Sequence, residues 1–108
     1  MNVTVSKDMR GAWRAENVIE LGNNRILTIS THKTFSGNLV TTATVGKREG
    51  AFVSHMMFTD FSKQCALSKP ARTTSKVVAE QHGNVMALKD DIVREAVAFY
   101  TPKEKVAA

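Results

Sequence analysis

The chain is poor in the residues that carry chemistry by themselves. Its one cysteine, Cys65, cannot form an internal disulfide, so the fold must rest on packing. His32, His55 and His82 are nowhere three or four apart, and Cys65 has no neighbour at ligand spacing, so no metal or cofactor site is expected. No apolar run approaches the ~18 residues of a membrane span. Residues 1–8 lack a charged head followed by an apolar stretch, which points away from secretion and towards a reducing, cytoplasmic setting. Nucleotide loops and nucleophile motifs are also missing, and an enzyme is not expected. Acid is absent from one stretch in particular. Between Asp60 and Glu80 stand Lys63, Lys69, Arg72 and Lys76, with no carboxylate among them.

What is present suits one soluble domain. A length of 108 residues with 43% hydrophobic and 23% charged residues supports a single modest core. The net charge of +5 favours polyanionic partners, whether nucleic acid or an anionic protein surface.

Hydropathy alternates with period two through most of the first half. Residues 1–11 read as a short strand or arm. Residues 13–21 place Trp13, Ala15, Asn17, Ile19 and Leu21 on one face and charges on the other. Gly22, Asn23 and Asn24 supply a tight turn. Residues 25–33 follow with Leu27 and Ile29 inward, then residues 38–45 with Leu39, Ala43 and Val45 inward. The charged, glycine-bracketed loop 46–50 leads to a fourth strand over 51–59, with Phe52, Met56 and Phe58 inward. Connections this short predict an antiparallel meander over 12–60, because parallel crossovers need a dozen or more residues. Pro70 and small polar residues make 61–72 a basic loop.

Residues 73–100 then read as one long amphipathic helix. Val78, Val85, Leu88, Ile92, Ala96 and Phe99 form the stripe that would cover the sheet. Met86, Val93, Val97 and Tyr100 form a second stripe beside it. Gly83 marks either a close approach or a break into two helices. Pro102 is expected to stop the helix, leaving 101–108 as a tail. The expected fold is therefore α+β: a four- or five-stranded meander under a single C-terminal helix, in the order ββββα.

Three places are candidates for function. At the helix start, Thr73, Thr74 or Ser75 would cap amides carrying partial positive charge. The nearby cations Lys63, Lys69, Arg72 and Lys76, joined by Lys47 and Arg48 from the charged loop, would suit a bound phosphate; solvated loop side chains are the plain alternative. The outward sheet face, with Thr28, Ser30, His32, Val40, Thr42, Thr44, Val53, His55 and Met57, is almost uncharged and would suit an interface. The second helix stripe, Met86, Val93, Val97 and Tyr100, would suit a homodimer. Asp90, Asp91 and Glu95 read as the solvated back of the helix.

The order of elements over 13–100 resembles that of the Whirly group of single-strand DNA-binding proteins. No sequence motif is shared and no site residue is carried across. The resemblance implies DNA binding on the strands and dimers through the helices. Two functions are thus expected in contention. One is a small nucleic-acid-binding module, single strands included. The other is a protein-binding inhibitory or regulatory module, of the compact kind that phages and mobile elements carry, acting by occlusion.

Overall fold

The computed structural model describes residues 3–49, 52–53 and 60–107, with the backbone alone at 48–49, 52–53 and 102–107. The strands are β1 (Val5–Lys7), β2 (Trp13–Gly22), β3 (Arg25–Lys33), β4 (Leu39–Glu49), β5 (Phe52–Val53) and β6 (Ser62–Ser68). Every described pairing is antiparallel, and the main sheet runs β1-β2-β3-β4-β6. The two residues of β5 pair with the far end of β4, on the edge that β6 also uses.

The alternation works as the residues predict. Leu27, Ile29, Leu39, Ala43 and Val45 are buried on the helix-covered face, joined by Ala15. Between β2 and β3, Asn23 and Asn24 adopt φ of 53° and 63°. A two-residue antiparallel connection needs such left-handed values, which asparagine tolerates better than most residues. The opposite face carries half-buried Thr28, Ser30, Thr42 and Thr44, buried Ile26 and Val40, and exposed His32.

Residues 60–72, expected to be loop, contain β6. Its register on β4 pairs Thr41 with Ala66 but Thr42 with Gln64, leaving Cys65 as the extra residue of a bulge. A bulge reverses the alternation on either side of it. Consequently Lys63 and Ser68, five apart, both reach the helices. The Lys63 ammonium meets Glu95 at 2.6 Å, and the Ser68 hydroxyl donates to Gln81 Oε1 at 2.5 Å. The expected fourth strand over 51–59 survives in part as β5; Met56, Phe58, His55 and Met57 lie outside the described residues, as do the side chains of Phe52 and Val53.

The expected single helix is two, α1 (Ser75–Met86) and α2 (Lys89–Ala107). Thr74 caps α1, accepting from the Val77 amide at 3.2 Å. The break falls at Ala87–Leu88 and not at Gly83. There the Leu88 amide reaches Val85 O, a tightened turn that ends the first ladder. Asp90 and Asp91 stand in the first turn of α2, where the helix dipole favours acids. Gly83 lies within α1, and a Cβ there would stand 3.4 Å from Val3 Cγ2, an ordinary contact that does not demand glycine. Nor does Pro102 stop α2, which continues to Ala107. A proline removes one amide donor, and just before it the Thr101 hydroxyl adds a bond to Val97 O at 2.8 Å.

The break changes the phase of the apolar stripe. Leu88 (58% exposed) and Phe99 (40%) leave the core, while Met86 and Tyr100 enter it. The second stripe is thereby largely taken up by the chain's own core: Val93 packs against it and Val97 alone of the four is exposed.

Candidate nucleic-acid interface

Three turns meet at the end of the sheet where α1 begins. Between β1 and β2, the Asp8 carboxylate accepts from the Arg10 amide (2.8 Å) and the Ala12 amide (3.0 Å), and Gly11 takes φ +80°. These bonds, Ala12's foremost, hold the Asp8 carboxyl below its ordinary range. Between β3 and β4, Thr34 N donates to Asn38 O (2.8 Å) and Gly37 N to Thr34 O (3.1 Å), with Gly37 at φ +87°. The third turn, residues 69–74, leads into α1. The first two loops fix their own backbones, so the side chains at their tips are presented to solvent.

Those side chains are cationic and aromatic. Phe35 is 97% exposed, and the Arg10 guanidinium lies 5.5 Å from its ring centroid. Lys7 sits 4.8 Å from the Trp13 ring centre. A cavity of about 360 Å³ is lined by Arg10, Gly11, Ala12, Trp13, Lys33 and Thr73, two cations beside the start of α1 and no acid. A neighbouring cavity of about 390 Å³ shares Arg10, Ala12 and Lys33 and extends to His32 and Phe35, with Asp8 as its one acid. The first turn of α1 also has no acid, so its amide dipoles are not offset from within.

The structure divides the residues expected to bind an anion. Lys69, Arg72 and Lys76 are exposed around the start of α1, and Thr73 lines the smaller cavity. Lys63 is elsewhere, held by Glu95, which raises its pKa. Lys47 stands opposite Arg25, eight residues along β4 from the Lys33–Leu39 pair. At about 3.4 Å per residue that is about 27 Å away, at the far end of the sheet. The side chain of Arg48 lies outside the described residues. Sequence reading passed over Arg10, Lys33 and Phe35. Each is unremarkable in its own turn, and only the hairpin registers put them together.

Beneath α1 runs a chain of buried polar groups. Gln81 Nε2 donates to Leu39 O (2.9 Å) and to Thr41 Oγ1 (3.1 Å). Thr41 and Thr31 hydroxyls meet at 2.6 Å, Thr31 Oγ1 meets His82 Nδ1 at 2.8 Å, and His82 Nε2 meets Asn17 Oδ1 at 2.7 Å. The Leu39 carbonyl orients the Gln81 amide, because turning it over would set oxygen against oxygen. With Gln81 giving to Thr41, the sequence Thr41 to Thr31, Thr31 to Nδ1 and Nε2–H to Asn17 uses every hydroxyl proton and suits a neutral His82. Burial lowers the His82 pKa further, against a partial opposing pull from Glu16. Fully enclosed, His82 has no route to a substrate, and its role is to satisfy the interior. Among the described residues no group of three or more His, Cys, Asp or Glu could hold a metal ion, and no helix is long and apolar enough to cross a membrane.

No protein-family model matches the chain, and no curated protein or solved structure matches it. The resemblance in element order therefore carries no further argument, and the single-helix unit it implied gives way to two helices.

Proposed function

We propose that this chain is a small non-enzymatic nucleic-acid-binding module whose phosphate contacts lie at the α1 end of the sheet. The observation that carries this reading is the acid-free cavity of Arg10, Lys33 and Thr73 before α1, with exposed Lys69, Arg72 and Lys76 within four residues of Thr73 along the chain. Cations gathered without an acid in an open cavity that reaches the residue before a helix cap suit a phosphate. Lys47 and Lys63 are outside this grip. The test is anisotropy of a labelled oligonucleotide against salt. Log affinity should fall against log salt with a slope of about −0.7 per phosphate contact on single strands. Lys33→Glu combined with Arg72→Glu should flatten that slope and weaken binding. A flat slope in the unaltered protein, or no binding at about 50 mM salt, overturns the reading.

A second reading is a protein-binding, occluding module, favoured by the outer sheet face. Thr28, Ser30, Thr42 and Thr44 lie there half-buried beside Val40, and exposed Leu67 borders them. The same face, and not the helix stripe, is where a homodimer would form. A stoichiometric partner recovered after nuclease treatment supports this reading over the first.

A further inference from the structure

We infer that Phe35 is a stacking platform for an unpaired nucleobase, so that the nucleic acid taken at the α1 end is single-stranded. This inference rests on the nucleic-acid reading above. An aromatic ring left 97% exposed forgoes the burial that normally stabilises it. Here the exposure is built in. The Thr34–Asn38 turn is closed by backbone bonds and by Thr34 Oγ1, which accepts from the Asn38 amide at 3.2 Å, so the tip does not fold back on the sheet.

The surroundings supply the rest of a nucleotide's requirements. Arg10 lies over the ring, and a guanidinium plane stacks on a base as it does on phenylalanine. The cavity beside Phe35 continues through Arg10, Ala12 and Lys33 to Thr73. A base on Phe35 thus has its adjoining phosphates directed towards Lys33 and Thr73. In a duplex the faces of a base are already occupied by its stacked neighbours, so a single protruding ring selects for unpaired strands.

The experiment compares a labelled oligothymidine of about a dozen residues, an abasic strand of equal length and the corresponding duplex, each with the unaltered protein and with Phe35→Ala and Phe35→Trp. The unaltered protein should prefer oligothymidine to both other probes. Phe35→Ala should lose roughly 5- to 150-fold in oligothymidine affinity, with the salt slope and abasic binding unchanged, and Phe35→Trp should retain the affinity. Thermal melting of Phe35→Ala should match the unaltered protein, because the ring contacts little. Equal binding of the oligothymidine and abasic strands, an unchanged affinity in Phe35→Ala, or a preference for duplex overturns the stacking inference while leaving the phosphate grip standing. Failure of every probe to bind removes both.

Discussion

Each end of the sheet places an arginine over an aromatic ring, and the two pairs have opposite fates. At the far end the Arg25 guanidinium lies 4.0 Å from the Tyr100 ring centre. That ring is 5% exposed and belongs to the core with Ile92 and Ala96. Its hydroxyl accepts from the Phe61 amide and donates to Asp60, each at 3.0 Å, and Phe99 meets it edge-on at 5.0 Å. At the α1 end Phe35 has the guanidinium of Arg10 and otherwise solvent. The same pairing of a guanidinium with an aromatic ring acts as a rivet in one place and as an open hand in the other. What separates them is not the cation but the number of other partners the ring has.

The largest expected effect tests the rivet. Tyr100→Ala should destabilise the fold by about 3–5 kcal/mol in chemical denaturation, the usual range for removing a buried aromatic. A loss under about 1 kcal/mol would mean that the far end is not anchored there, and the contrast would collapse.

Acid should act on the α1 end before the far end. The unfolded chain protonates histidine near its ordinary value of 6.5, whereas burial of His82 lowers its value in the folded state. Below that pH the unfolded state therefore binds more protons. Stability is full above pH 6.5 and falls as the pH drops below it, by at most about 1.4 kcal/mol per pH unit for one proton. Hydrogen exchange should show α1 loosening while α2 holds. His82→Leu should remove the slope between pH 6.5 and 5, and an undiminished slope in that variant would place the acid sensitivity elsewhere.

The smallest effect completes the comparison. Phe35→Ala should change the unfolding free energy by no more than about 0.5 kcal/mol, as expected for a side chain 97% exposed. A larger loss would make Phe35 a second rivet.

Strands β2 and β3 were legible because the turns after them carry glycine or asparagine, and β4 was legible as far as Val45; the expected charged loop over 46–50 is instead strand through Glu49, its residues pairing with β3 and then with β5. The β6 strand was not, since the bulge at Cys65 shifts the alternation of a mostly polar segment midway. The helix break lacks a glycine or proline at Ala87–Leu88. Its one signal was Asp90 and Asp91, which read as a solvated face but belong to the start of a new helix. The start of α1 was found to within two residues: the expected helix began at Thr73, whereas it begins at Ser75 with Thr74, one of three candidates, as its cap. The cations near it were found only in part, because Arg10 and Lys33 arrive from turns distant in sequence and Lys63 departs with β6.

The packing of Val3 against the cluster of Ala15, Leu39 and Val78 has a consequence for how the molecule assembles. It joins the segment leading into β1 to a helix residue seventy-five positions on, so that segment gains part of its support only after α1 has formed and settled on the sheet. Loop closure over that span adds a late, non-local step to folding. The β1 edge should accordingly be the last strand of the main sheet to lock during refolding and, at three residues and with a partner on one side alone among the described residues, the first of them to exchange its amide hydrogens in the finished protein.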